Sequence, residues 1–262
     1  MINDIKSLPP LPASIAQIQA LCMQNDTDIE ALSRVIEGDP MLSANILKSV
    51  NSPLYGMSKE ISSIPQAIML FGISMIRGFA AANAIKKAIP VDLAPYGKTV
   101  DELTDISTLQ SRLAREWYRN VDKTMLPLLQ SGAFLMELGK FVAARRIIAS
   151  GELDRFSQEV DQGKPLIEIE RCYLGFSSYE IAAMMFEHWN FEPALIAALR
   201  EITDPLTTNP YAQVLNVLSK AVNFRNPLSE EGIRDAHMAI EGFGLNRAAF
   251  DEALLLLKTC EK

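Results

Sequence analysis

Residues 36–56, IEGDPMLSANILKSVNSPLYG, and residues 61–72, ISSIPQAIMLFG, decide how this chain folds. Each stretch carries its own start and stop signals for a helix. Asp39 followed by Pro40 supplies an N-cap and a first helical residue whose φ is preset by its ring. Met41, Leu42, Ile46, Leu47 and Val50 then recur at helical spacing until residues 51–53, where Pro53 cannot continue the helix. Gly56 turns the chain, Pro65 opens a short helix through Ala67, Ile68 and Leu70, and Gly72 stops it. Upstream, Thr27 and Glu30 have capping-box spacing ahead of Ile29, Leu32, Val35 and Ile36, and Gly38 closes that face. Before it, Leu11, Ile15, Ile18 and Cys22 form an apolar stripe after Pro12.

Outward from this core, the same period predicts a helix over 73–88, where Gly78, Ala80, Ala81, Ala82 and Ala84 leave room for close neighbours. Residues 89–99, IPVDLAPYGKT, contain two prolines and a glycine and read as a connector. Leu103, Ile106, Leu109, Leu113 and Trp117 resume the helical stripe. The run 125–148 is apolar enough for one central buried helix despite Pro127. Later helices are expected near 164–174, 178–189, 193–202, 209–224, 229–240 and 246–259. No region alternates as a strand would, so the expected fold is all-α. It is a two-lobed helical bundle with an N-terminal lobe over 1–89, a connector over 90–99 and a C-terminal lobe over 100–262.

Composition narrows the function. The 262 residues are 48% hydrophobic and 22% charged, enough for a sizeable core under an ordinary polar surface. A net charge of -7 removes the broad basic face that a phosphate backbone attracts, so no nucleic-acid partner is expected. No stretch approaches the roughly 18 apolar residues of a membrane span, and no signal peptide is evident, so neither membrane attachment nor export is expected. Three dispersed cysteines, Cys22, Cys172 and Cys260, fit a reducing compartment, and the expected location is cytoplasmic.

Catalytic motifs are scarce. The only histidines, His188 and His237, have no second histidine at metal-binding spacing, whereas hydrolytic metal centres need several such ligands to converge. Cys172 has no identifiable base, and GxSxG, GxxxxGK[ST] and GxGxxG are all missing, so no cofactor is expected. Carboxylate pairs such as Glu230 with Glu231, and Asp251 with Glu252, are read as helix-start residues facing the helix dipole. Lys140, Arg145 and Arg146 form a basic group late in the expected central helix, a candidate anion-binding site.

The ordered motifs LPPLP, then IEGDPMLSANILKSVNSPLYG, then ISSIPQAIMLFG make residues 8–84 resemble the first part of HDOD domains, relatives of HD-type metal-dependent phosphohydrolases. The resemblance extends more weakly to about residue 205. It implies a helical scaffold whose metal ligands have been replaced. Where active relatives carry His-Asp before Ile-Gly-Lys, this chain has Met136 and Glu137 before Leu138, Gly139 and Lys140. Ile106 and Ser178 stand at two further histidine positions, so Ile106, Met136, Glu137 and Ser178 are the expected remnant pocket. What the family implies is a non-catalytic part in bacterial signal transduction. It would bind a signalling protein in trans, with room for a small ligand in the pocket. The competing expectation is a divergent phosphohydrolase acting on nucleotides or cyclic dinucleotides.

Overall fold

The computed structural model describes residues 1–22, 28–89 and 92–259, and these residues contain helices and turns with no strand. The first half holds α1 (Ile2–Lys6), α2 (Ala13–Cys22), α3 (Ile29–Glu37), α4 (Pro40–Val50), α5 (Ile64–Phe71) and α6 (Ile73–Ala88). The second half holds α7 (Val100–Tyr118), α8 (Leu126–Leu135), α9 (Gly139–Ser150), α10 (Leu153–Asp161) and α11 (Leu166–Leu174). It continues through α12 (Ser178–His188), α13 (Pro193–Glu201), α14 (Pro210–Ala221), α15 (Glu230–Phe243) and α16 (Arg247–Thr259). The all-α expectation holds. No single described helix is long and apolar enough to cross a membrane.

The punctuation read from 36–72 is physically present. Asp39 Oδ1 accepts from the Leu42 backbone N–H at 3.0 Å, with Pro40 in the first turn behind it. Asp39→Ala should therefore cost about 0.5–2 kcal/mol. An unchanged urea midpoint would show that the cap carries no stability. Asn51 does more than end α4: its side chain bonds the Ile61 N–H and C=O at 2.8 Å each, clamping the loop between α4 and α5. Gly56 at φ +63° turns that loop in the left-handed region that glycine tolerates. Thr27 lies outside the described residues, and the cap of α3 is Asp28, which accepts from Glu30 N at 2.8 Å.

One continuous core runs through the chain, from Ile5 and Leu8 to Phe250 and Leu257. Helix α6 lies deep within it. Its small residues allow the approach anticipated for them: a Cβ on Gly78 would sit 3.6 Å from Ser131 of α8. Edge-to-face rings from Tyr55, Phe71 and Phe79 continue to Phe134 of α8 at 4.8 Å, joining the two halves. Arg112 of α7 donates to the Leu54 carbonyl at 2.8 Å and the Leu256 carbonyl at 3.1 Å, so one buried guanidinium ties the first half to α16. Trp117 and Trp189 each donate to a distant carbonyl, that of Asn246 and that of Pro9. Of the connector at 90–99, residues 90 and 91 lie outside the described residues, and a 3-10 turn at Ala94–Tyr96 buries Tyr96.

The structure departs from the sequence reading at 125–148. Instead of one helix, α8 ends at Leu135, a 3-10 turn spans Met136–Leu138, and α9 restarts at Gly139. Pro127 sits in the first turn of α8, where its missing N–H has no partner to lose. Two short helices, α1 and α10, were not anticipated. Asp251 and Glu252 lie inside α16 rather than at its start.

Candidate functional site

The break between α8 and α9 exists because two backbones touch there. A Cβ on Gly139 would lie 1.8 Å from the Ser178 carbonyl oxygen and 2.7 Å from Ala182 N, so only glycine lets α9 lie this close to the start of α12. The turn places Glu137 in the interior, and the first turn of α9 sends Lys140 towards it. Both residues are essentially fully buried.

Around them stands a closed polar network. Lys140 Nζ lies 2.5 Å from Glu137 Oε2, donates to Ser178 Oγ at 2.9 Å, and stands 3.9 Å from Glu170 Oε1. The faces of Phe224, Tyr179 and Tyr96 complete its surroundings at 4.7, 5.0 and 5.9 Å from the ring centres. Both carboxylates have further partners. Glu137 Oε1 accepts from Gln110 Nε2 at 2.8 Å and from the Tyr179 hydroxyl at 3.3 Å. Glu170 accepts from the Tyr96 hydroxyl at 3.0 Å and from Ser178 N at 2.6 Å. Gln110 also donates to the Val222 carbonyl, which brings the end of α14 to the site.

Burial shifts the titration of three groups in this network. Desolvation pushes the Glu170 carboxyl above the ordinary value, with Lys140 and the Ser178 and Tyr96 bonds pulling it back. Desolvation likewise raises the Tyr96 and Tyr179 phenols, and the neighbouring carboxylates raise them further.

Of the residues anticipated as a remnant pocket, Glu137 and Ser178 meet through Lys140. Met136 and Ile106 are buried apolar side chains on the adjoining 3-10 turn and α7. The basic group does not form. Lys140 is buried at the start of α9, whereas Arg145 and Arg146 are exposed further along it. His188 is exposed on α12, and His237 pairs with Asp251 at 2.6 Å, remote in sequence from the site. Burial raises the Cys22 thiol to about 11, and Cys172 is exposed with no hydrogen-bonded base among the described residues.

Sequence reasoning missed Glu170, Gln110, Tyr96, Tyr179 and Phe224. One signal was available: in LIEIERCYL, Glu170 shares the inward face of α11 with buried Ile169 and half-buried Leu166 and Tyr173, where a carboxylate has no reason to be unless something inside the protein binds it.

The sequence matches the HDOD domain family over residues 8–205. The fold is similar to a candidate phosphohydrolase from Shewanella amazonensis SB2B, with TM-score 0.71 and 22% identity over 98% of this chain and 93% of that one. It is also similar to an HDOD domain protein of unknown function from Geobacter sulfurreducens, with TM-score 0.68 and 17% identity over 98% of this chain and 92% of that one. A candidate signal transduction protein from Marinobacter aquaeolei VT8 gives TM-score 0.69 and 22% identity, covering 97% of this chain and 60% of its own. No curated protein matches. At these identities the structures speak for the fold, and the family match covers most of the chain: by sequence and by fold, this chain belongs to the HDOD domain family.

Proposed function

We propose that this protein is a non-catalytic signal-transduction module that works by binding another protein in trans. The observation that carries this reading is the position of Lys140. In a hydrolytic centre, carboxylates and imidazoles hold a divalent ion that brings the pKa of bound water from about 15.7 towards 7. Here an ammonium lies against Glu137 and near Glu170, and the remaining lone pairs of those carboxylates meet Gln110, Tyr179, Tyr96 and Ser178. Among the described residues no three of His, Cys, Asp and Glu gather as a metal ligand set. The residues of the interior do not fit a divalent ion.

The surface offers material for an interaction. Arg145 and Arg146 are exposed on α9 and make no ion pair among the described residues, so an acidic partner or a phosphate group would meet no internal competitor. Met41 and Met69, on the adjoining α4 and α5, are 60% and 72% exposed.

Elemental analysis of untagged protein, with turnover assays on nucleotides and cyclic dinucleotides, tests the non-catalytic half. The expected result is no stoichiometric zinc, manganese or iron and no phosphoester hydrolysis. Near-stoichiometric metal together with turnover abolished by Glu137→Ala would establish the phosphohydrolase instead. Cross-linking in the native cell tests the other half: a partner that links reproducibly to the parent and is lost on Arg145→Glu with Arg146→Glu supports it, and a chain that links to nothing overturns it.

A further inference from the structure

We infer that the interior of the second half is a cation-binding cage whose occupant is the chain's own Lys140, so that removing this side chain uncovers a site for a small primary alkylammonium ion. The inference concerns the interior discussed above and rests on the reading that no divalent ion belongs there.

The walls are held largely without the lysine, which among the described residues is the one hydrogen-bond partner of Glu137 Oε2. Gln110 and Tyr179 hold Glu137, while Tyr96 and Ser178 N hold Glu170. These bonds come from α7, α12 and the turn before α7, which are elements other than the helix that carries Lys140. What the lysine adds is the cation itself. Two of its N–H groups are matched by Glu137 Oε2 and Ser178 Oγ, and Glu170 at 3.9 Å is beyond hydrogen-bond length, so the third faces aromatic surface.

This lining selects among cations. Magnesium and calcium require about six or more oxygen ligands, and zinc requires several imidazoles or thiolates. Phe224, Tyr179 and Tyr96 present π faces, which attract a weakly hydrated ammonium and cannot complete a metal's coordination shell. The space left by Lys140→Ala, from Cγ to Nζ, has the length of propylammonium.

The test is thermal unfolding of the parent, Lys140→Ala and Lys140→Met in propylammonium chloride, with sodium, magnesium and manganese chlorides at matched ionic strength as controls. Lys140→Ala should be saturably stabilised by propylammonium, by about 3 °C at roughly ten times its dissociation constant. The parent and the space-filling Lys140→Met should not respond. If Lys140→Ala is unfolded alone, propylammonium should restore its helical dichroism. No saturable effect, an equal effect on Lys140→Met, stronger stabilisation by a divalent ion, or failure to restore helix would each overturn the cage. A negative result with propylammonium leaves the parent's metal and turnover assays as they stand, whereas metal-dependent turnover in the parent would overturn the non-catalytic reading whatever the variant binds.

Discussion

Gly139→Ala should lower the thermal midpoint by roughly 6–12 °C or more. The new Cβ would stand 1.8 Å from the Ser178 carbonyl oxygen and 2.9 Å from its carbon. These are backbone atoms, so no rotamer change relieves the clash and α9 must move away from α12. Overpacking in a core costs about 1–3 kcal/mol and sometimes more. A backbone clash belongs at or above the upper end, and each kcal/mol is worth about 2–4 °C in a chain of this size. Gly242→Ala is the control. It sits exposed near the end of α15 with nothing within 4 Å of its added Cβ, so the midpoint should hold or rise slightly. Equal responses from the two variants would mean that α9 and α12 do not meet as described.

Glu137→Ala should cost about 3–5 kcal/mol, because it leaves a buried ammonium without its nearest counter-ion. It also strips Gln110 and Tyr179 of their acceptor. Glu137→Gln combined with Lys140→Met removes both charges while Gln keeps an oxygen for those donors, so the double variant should be more stable than Glu137→Ala. A double variant that is less stable still would show that the charges stabilise the fold outright. The pH dependence has a definite sign. Burial holds the folded-state carboxyl of Glu170 above its ordinary value, so the folded chain keeps a proton that the unfolded chain has released. Its contribution is therefore most favourable at low pH and is lost as pH rises from the ordinary glutamate value through the raised one. Lys140→Met removes the opposing charge and should steepen that loss, seen as a larger fall in urea midpoint as pH rises above the ordinary glutamate value.

Helix starts and stops were legible because they are local. Asp39 with Pro40, Gly72 and the 178–188 helix each depend on residues within one turn of themselves, and the structure places them where the spacing put them. The break at 136–138 was not legible, because its cause lies in a backbone contact with a residue about forty positions away in sequence. The site divides in the same way. Met136, Glu137 and Ser178 could be named from motif order. The role of Lys140 could not, since a lysine among apolar neighbours reads as a surface cation until its partners on α11 and α12 are seen. Arg145 and Arg146 share its helix and its charge but not its fate, because the first six residues of α9 are buried on every face and exposure begins at Arg145, a change that a cluster of basic letters does not resolve.

The guanidinium of Arg112 has a consequence for synthesis on the ribosome. One of its two carbonyl partners is in the loop after α4, and the other is on the last turn but one of α16. While the chain is being made, α7 emerges with this arginine long before Leu256 exists. Domains generally fold as units during synthesis, and contacts of long sequence separation form late. Until α16 has emerged, Arg112 has only the Leu54 carbonyl of its two partners, and Trp117 is without the ring of Phe250 that later meets it at 5.0 Å. In that interval the apolar surface that α16 later covers is open to chaperones and to aggregation.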